Sequence, residues 1–360
     1  MMRRHVMRAR WVLLSSVALL SAGAAGQTPT ASVPNWKGPN GPIDLRLQDP
    51  ALIGALDLHA HLDPDISGGG QVPRAMDAVD MAQIARARGM RGFAHKTHMD
   101  VSSAASAHFA RKAVPGIEVF GRFALNVTSG GLNPAAVMQF TSMKGGWGRI
   151  VEMPTRDVRL PQNDNRPWVT PWAALFPNMP RHVPTARNGE LLPEAKAIIA
   201  LVATLKTEGS GRVVLATGHA TPEEHVLLAR EARRFGVPVL LTHPGDNVTD
   251  AQYQEVKKLG AFVEVNADFY QEGESAEEKI EFAVKQIKRL GAESIVMGTD
   301  CGQLNNPLPP DCIALAARAL RAHGITDRQL DAMLKENPAR LLGIPPPGSR
   351  PASRPTASLG

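Results

Sequence analysis

A repeated alternation of helix and strand is the feature that most constrains the fold of this chain. At four places a helical segment ends in basic residues and glycine, and a short apolar run follows. Basic residues favour the negative end of the helix dipole, and glycine adopts the left-handed conformation that ends a helix. The repetition predicts βα units and a parallel sheet. The four helix ends are Arg86–Gly89, Arg233–Gly236, Lys257–Gly260 and Lys288–Gly291.

The number of apolar runs indicates how this sheet is arranged. Eight runs lie between residues 44 and 343, and eight parallel strands close a (β/α)8 barrel. We therefore predict one TIM-type barrel over residues 44–343. Capping-box patterns at Thr221–Glu224 and Ser275–Glu278 support helices after two of the strands. The strands are predicted to be centred near Leu56, Phe93, Val119, Ile150, Val214, Leu240, Val263 and Val296.

The connection after the fourth strand is longer than the others. About 38 residues separate Pro154 from a helix predicted to begin near Pro193, and they include Trp168, Trp172 and Phe176. Connections of this length without regular structure are uncommon. On a barrel, this loop would emerge at the catalytic face. It is interpreted either as a lid or substrate wall, or as a plain surface insertion.

The net charge of +6 originates at the two ends of the chain. Four arginines lie in residues 1–26 and two in residues 344–360, and neither segment contains an acidic residue. The body, residues 27–343, is therefore neutral and lacks the clustered basic face that nucleic-acid binding requires. We expect a small-molecule substrate and no nucleic-acid partner. An oligomer stays an open alternative.

Residues 1–26 have the organisation of a secretory signal peptide. Arginines precede an uncharged run, and Ala22–Gly26 offers small-residue cleavage sites. The strongly apolar part, Trp11–Leu20, is shorter than the roughly 20 residues that span a bilayer. We predict export to the periplasm or the medium, by the general secretory or, through Arg3-Arg4, the twin-arginine route. No stable membrane anchor is expected after cleavage.

Two further segments flank the predicted barrel. Residues 27–43, rich in Pro, Gly, Thr and Asn, are interpreted as a linker or arm. Residues 344–360 are rich in Pro, Ser and Arg, which predicts a disordered tail. The cysteines Cys301 and Cys312 are too few for a disulfide scaffold. They could form one bridge in an oxidising compartment, and the sequence leaves that alternative open.

Ligand-type side chains occur at the ends of several predicted strands. The first strand ends in Asp57-Leu58-His59-Ala60-His61, and alternate residues of a strand face the same side. His59 and His61 can therefore present two imidazoles, the commonest biological metal ligand, to one point. The fifth, sixth and eighth strands end in His219, His243 and Asp300. Barrel active sites lie at these strand ends, so the pattern predicts a metal site.

With these residues the sequence resembles the amidohydrolase superfamily of metal-dependent hydrolases. The resemblance extends from the first strand to Asn337–Gly343, and so covers nearly the whole barrel. Within the superfamily, Gly130–Pro134, Met153-Pro154-Thr155 and Gly218-His219 are most similar to an amidohydrolase-related family without established function. The resemblance implies fold and metal chemistry, but no particular substrate.

The resemblance also implies a division of roles. His59 and His61 would bind the more buried metal, and His219 and His243 would bind the second. Asp300 would ligate metal and carry the proton. One or two divalent ions are expected, zinc foremost, although manganese, iron and cobalt also accept His and carboxylate ligands.

The bridging group of a binuclear site stays open. The usual pattern has a carboxylate, often a carbamylated lysine, on the fourth strand, where this chain offers Glu152. A second candidate is Lys96, at the end of the second strand, which could bridge if carbamylated or bind an anionic substrate group if free. In a third interpretation Glu152 pairs with Lys96 or an arginine, and no bridge exists.

The predicted chemistry is hydrolysis of an amide, cyclic amide or lactone carbonyl. A metal lowers the pKa of bound water to about 7, and Asp300 would accept and return the proton. Lys96 or His98, or a second metal, would stabilise the oxyanion. Two alternatives use the same scaffold: a decarboxylase with one metal, and a phosphoester hydrolase. A third alternative is a binding protein that retains metal without catalysis.

Overall fold

Eight parallel strands follow one another around a barrel in chain order. The computed structural model describes residues 43–65, 73–98, 100–158, 182–207, 211–245, 247–271 and 273–347. All of them belong to one structural unit, Lys37–Gly360. The (β/α)8 barrel is confirmed, and every predicted strand centre lies in a strand. The strands are β1 (Leu56–His61), β2 (Gly92–Thr97), β3 (Glu118–Ala124), β4 (Gly148–Glu152), β5 (Val214–Ala216), β6 (Val239–Leu241), β7 (Phe262–Asn266) and β8 (Ile295–Gly298).

Helices connect the strands. A π-helical turn, Ala332–Glu336, joins the last two helices. A two-stranded hairpin, Ala186–Arg187 with Glu190–Leu191, precedes the helix that begins at Pro193. No helix of the described residues has the length and apolar character needed to cross a bilayer. The α-helices are α1 (Ala78–Ala87), α2 (Ser103–Ala113), α3 (Pro134–Thr141), α4 (Pro193–Thr204), α5 (Pro222–Phe235), α6 (Asp250–Lys258), α7 (Ala276–Leu290), α8 (Pro309–Ala322), α9 (Asp327–Asp331) and α10 (Asn337–Leu342).

The predicted segments outside the barrel are covered only in part. The predicted signal peptide, residues 1–26, lies outside the described residues, as do nearly all of the predicted arm and tail. In the long connection after β4, residues 159–181 also lie outside, and with them the three aromatic side chains noted above. The helix after this connection begins at Pro193, as predicted.

One of the two predicted capping boxes is complete. At the start of α5, Thr221 accepts from the backbone N–H of Glu224, and the Glu224 side chain accepts from that of Thr221. At the start of α7, Ser275 accepts from the backbone N–H of Glu278. Glu278 does not return this bond within the described residues, so the second prediction was half wrong. One satisfied N–H is still enough to stabilise a helix start.

The barrel closes where β8 meets β1. The backbone N–H of Asp300 donates to the carbonyl of His59 at 2.7 Å, and that of His61 donates to Cys301 at 2.8 Å. The Asp57 carboxylate accepts from the backbone and the hydroxyl of Thr299, at 3.0 and 2.6 Å. These bonds continue the ladder past the end of β8 and bring the first and last strands together.

The inside of the barrel is apolar at one end and charged at the other. Apolar side chains of all eight strands form one inner cluster, which α10 covers. The residue two positions after an apolar residue of this cluster faces the same inner side of its strand. On several strands that residue is charged. These are Lys96 on β2, Arg122 on β3, Glu152 on β4 and Glu264 on β7, and all are buried. The charged layer therefore lies towards the carboxyl ends of the strands, where barrel active sites are found.

Candidate metal centre

His59 and His61 direct their imidazoles at one carboxylate. The Nε2 atoms of His61 and His59 lie 2.8 and 3.1 Å from Asp300 Oδ1. The two ring centroids are 5.2 Å apart. The register between β1 and β2 shifts between Asp57 and Ala60, which is a local bulge that redirects side chains at the end of β1. The structure thus brings together the two histidines and the aspartate that the sequence singled out.

The backbone of Asp300 has an uncommon conformation. Its φ is 54°, in the left-handed region that few non-glycine residues occupy. Asn266 Nδ2, at the end of β7, donates to Asp300 Oδ2 at 2.8 Å. Such conformations concentrate at functional sites, because the surrounding structure must hold them in place. Here the turn directs the carboxylate at the imidazoles.

His243 and His219 stand beside this group. His243 Nε2 lies 3.8 Å from Asp300 Oδ2, and its ring stacks on His59 with centroids 5.6 Å apart. The His219 ring lies 5.0 Å from that of His243. Ligand atoms of His59, His243 and Asp300 all lie within 4.8 Å of one another. Together with His61, they form a nitrogen and oxygen donor set that suits zinc and related divalent metals.

The protonation of these groups follows from burial and from their neighbours. Burial lowers the pKa of His61 and of His219 well below the usual imidazole range, which favours the neutral, ligating form. Burial alone would raise the pKa of Asp300, but His59 and His61 hold it well below its usual value. Burial acts to lower the pKa of His59, but the carboxylates of Asp300 and Glu264 act in the opposite direction, and the pKa is raised.

Lys96 and Glu152 meet below the imidazoles. Lys96 Nζ lies 2.9 Å from His59 Nε2 and 3.3 Å from Glu152 Oε2. Glu152 also accepts from Arg122 at 2.6 and 3.2 Å, and from the Thr242 hydroxyl at 3.0 Å. Both Glu152 oxygens therefore have protein partners. These are the pairings that the third interpretation names, Glu152 with Lys96 or with an arginine.

His98 lies on the other side of His61. Its ring stacks on that of His61 with centroids 4.8 Å apart, and its Nδ1 is 3.0 Å from Thr155 Oγ1. Asn126 fixes the backbone here: it donates to the His98 carbonyl at 2.7 Å and accepts from the N–H of Thr155 at 2.9 Å. His98 is thus placed at the mouth of the site, between β2 and the loop after β4.

Several residues of this centre were not anticipated from the sequence. Glu264 Oε2 lies 3.2 Å from His59 Nδ1, and Arg122 pairs with Glu264 at 2.7 Å. Each is a charged residue with uncharged, non-polar neighbours on both sides, at an inward position of the strand alternation. From this alternation, the position of both side chains inside the barrel could have been predicted, although their roles could not. Asn266 gave no such signal, because a polar residue at a strand end is common.

Cys301 follows Asp300 and is bonded to Cys312 of α8. The sequence left this bond open. Both side chains are buried. The disulfide connects the turn that carries Asp300 to the helix outside it.

Comparisons with known structures return the same fold. Organophosphorus hydrolase from Deinococcus radiodurans is 15% identical, with a TM-score of 0.52 over 81% of this chain and 93% of that one. A second structure is described as the engineering of organophosphate hydrolysis from a weak promiscuous lactonase template. It is 14% identical, with a TM-score of 0.50 over 81% of this chain and 97% of its own. At such identities the likeness shows the fold.

Sequence comparisons give a family. No curated protein matches the chain. A family model, described as a family of unknown function (DUF6282), matches residues 54–264, which is more than half of the chain. The match runs from β1 into β7, where it ends at Glu264, and it includes all four charged residues of the inner layer. The chain therefore belongs to the family of unknown function DUF6282.

Proposed function

We propose that this protein is an exported, metal-dependent hydrolase of the amidohydrolase superfamily, acting on an amide, cyclic amide or lactone carbonyl. The observation that carries the proposal is that ligand atoms of His59, His243 and Asp300 lie within 4.8 Å of one another at the barrel mouth. His61 Nε2 joins this group 2.8 Å from Asp300 Oδ1. Three imidazoles and one carboxylate would hold a divalent ion, zinc foremost, with manganese, iron or cobalt as alternatives. A bound divalent metal supplies a nucleophile at neutral pH by lowering the pKa of coordinated water.

The protein's own residues would move the proton and place the substrate. Asp300 would take the proton of the attacking water and pass it to the leaving group. Its pKa, held low by His59 and His61, keeps the carboxylate ionised before attack. Asn266 would hold the carboxylate in place through Oδ2. Lys96 and His98, on either side of the imidazoles, would stabilise negative charge that develops on the carbonyl oxygen.

Phosphotriester hydrolysis is the second candidate. Organophosphate hydrolysis appears in the descriptions of both similar structures, and one of them started from a lactonase. The same metal, proton carrier, Lys96 and His98 would serve at a phosphorus centre. The two reactions differ in the substrate that fits, which the loops at the barrel mouth decide.

Export is proposed from the N-terminal sequence alone. An arginine-rich start and a short apolar run precede small-residue cleavage sites. Fractionation of cells that produce the full chain tests it. A protein that loses residues 1–26 and leaves the cytoplasm supports export, and an uncleaved cytoplasmic protein contradicts it.

The activity test compares wild type with Asp300→Asn on lactones, cyclic amides and phosphotriesters, after loading with zinc or manganese. Asp311→Asn is the matched control. Asp311, on α8, is also a buried aspartate, but it pairs with Arg88 at 2.5 Å and is not part of the candidate metal centre. We expect hydrolysis by wild type and by the control, and a loss of at least about a hundredfold in Asp300→Asn. Carbon dioxide release from an aromatic acid would instead favour a decarboxylase. Metal binding without turnover of any compound would favour a binding protein.

A further inference from the structure

The buried ring of His59 has a different neighbour at each nitrogen. On one side, Nδ1 lies 3.2 Å from Glu264 Oε2. On the other side, Nε2 lies 3.1 Å from Asp300 Oδ1 and 2.9 Å from Lys96 Nζ. His59 and Glu264 have no exposed side-chain surface. Water therefore does not determine which nitrogen of His59 carries the proton, and the protein groups on either side must do so.

Glu264 is itself fixed by one guanidinium. Arg122 donates to its two oxygens at 2.7 and 3.2 Å, and to the carbonyl of Leu58, the residue before His59, at 3.0 Å. A guanidinium that binds a carboxylate through two parallel bonds restricts its orientation as well as its position. Arg122 thus connects the backbone of β1 with the carboxylate that faces the ring of His59.

The neighbouring strand leaves room for this contact. Gly298, at the end of β8, has no side chain, and a Cβ there would lie 2.8 Å from the Cβ of His59 and 3.2 Å from Glu264 Oε1. Any larger residue would push His59 or Glu264 out of place. The glycine is therefore a second, independent observation that supports the close contact between His59 and Glu264.

We infer that Glu264, fixed by Arg122, is a positioning residue that sets the tautomer and orientation of His59. A proton on Nδ1 would face the Glu264 carboxylate, and the Nε2 lone pair, which lies 2.9 Å from Lys96 Nζ, would then be the one that a ligand at the barrel mouth takes. Partners of this kind raise metal affinity by about 10- to 100-fold, because the imidazole need not reorient or change tautomer on binding. The consequence for metal affinity rests on the proposed function, whereas the tautomer itself does not.

The first measurement is zinc affinity of the purified full chain, by competition with a chromogenic chelator. Glu264→Gln keeps the shape but removes the charge that favours a proton on Nδ1, and we expect affinity to fall about 10- to 100-fold. Asp311→Asn is the matched control, since it also removes the charge of a buried carboxylate paired with an arginine. An affinity within twofold of wild type for Glu264→Gln, or an equal loss in both variants, would overturn the inference.

The second measurement needs no metal and compares wild type with Glu264→Gln. Nitrogen NMR of histidine-labelled, metal-free wild type reports which ring nitrogen is protonated, with His59→Gln assigning the signal. We expect a proton on Nδ1 of His59. A neutral ring protonated at Nε2 would refute the inference. If wild type binds no zinc but shows an Nδ1 proton that Glu264→Gln reduces, the proposed function fails and the positioning role stands. An Nδ1 proton that Glu264→Gln leaves unchanged would assign the tautomer to Lys96, whose Nζ lies 2.9 Å from Nε2, and would overturn the inference.

Discussion

His61 Nε2 and Asp300 Oδ1 lie 2.8 Å apart, although 239 positions separate the two residues in the chain. They stand at the ends of the first and last strands, and closure of the barrel brings them together. The same closure places the turn of Asp300 against the backbone of His59 and His61. The candidate metal centre is therefore a product of barrel closure, and its integrity depends on the seam between β8 and β1.

The guanidinium of Arg122 holds two buried carboxylates, Glu152 and Glu264. Arg122→Met would remove the positive charge that pairs with both carboxylates, and we expect the free energy of unfolding to fall by about 3–5 kcal/mol. Adding Glu264→Gln removes one of these charges, so the double variant should recover part of the loss. Urea denaturation checks this. A double variant whose loss equals the sum of the single losses would show that the three groups are not coupled.

The disulfide closes a short segment, since Cys301 and Cys312 are 11 positions apart. Cys312→Ser should lower the free energy of unfolding by about 3 kcal/mol, because a loop of this length is no longer constrained in the unfolded chain. In a reducing agent, wild type and variant should become nearly equal. A difference that persists after full reduction would assign the loss to packing around Cys312.

Gly218 precedes His219 with a φ of 63°, and a Cβ there would lie 2.3 Å from the carbonyl oxygen of Met153. Gly236 has a φ of 68°, and nothing lies within 4 Å of a Cβ built on it. Gly236→Ala should therefore cost about 1 kcal/mol of stability from backbone conformation alone. Gly218→Ala should cost at least about 1 kcal/mol more. Equal melting temperatures for the two variants would contradict the crowding at Gly218.

His225, on α5, gives a pH dependence. It is buried, with Nδ1 2.8 Å from Thr217 Oγ1, and burial lowers its pKa to about 3. The folded state thus favours the neutral ring, so this stability is present above the unfolded pKa of 6.5 and is lost as pH falls towards 3. Wild type should lose up to about 1.4 kcal/mol per pH unit more than His225→Gln below pH 6. Parallel stability profiles for the two proteins would show that His225 does not titrate on unfolding.

Much of the fold was predictable because it rests on local signals. Basic residues and glycine end helices and apolar runs form strands whatever the rest of the chain does, so Leu56 and Val296 were correctly placed in the first and last strands. His59, His61 and Asp300 could be grouped because parallel strands end on one face. The roles of Arg122 and Glu264 could not, since each looks like an isolated charge until the barrel brings β3 and β7 to the same interior. The left-handed turn at Asp300 likewise depends on closure and has no local sequence signal.

The central claim is that His59, His61, His243 and Asp300 form a metal centre. Its most direct test is the metal content of the purified full chain after dialysis against zinc, beside a double variant, His59→Gln with His243→Gln. We expect at least one zinc ion per wild-type chain and close to none in the double variant, with both proteins folded. Substoichiometric metal in wild type, or equal metal in the two proteins, would contradict the account.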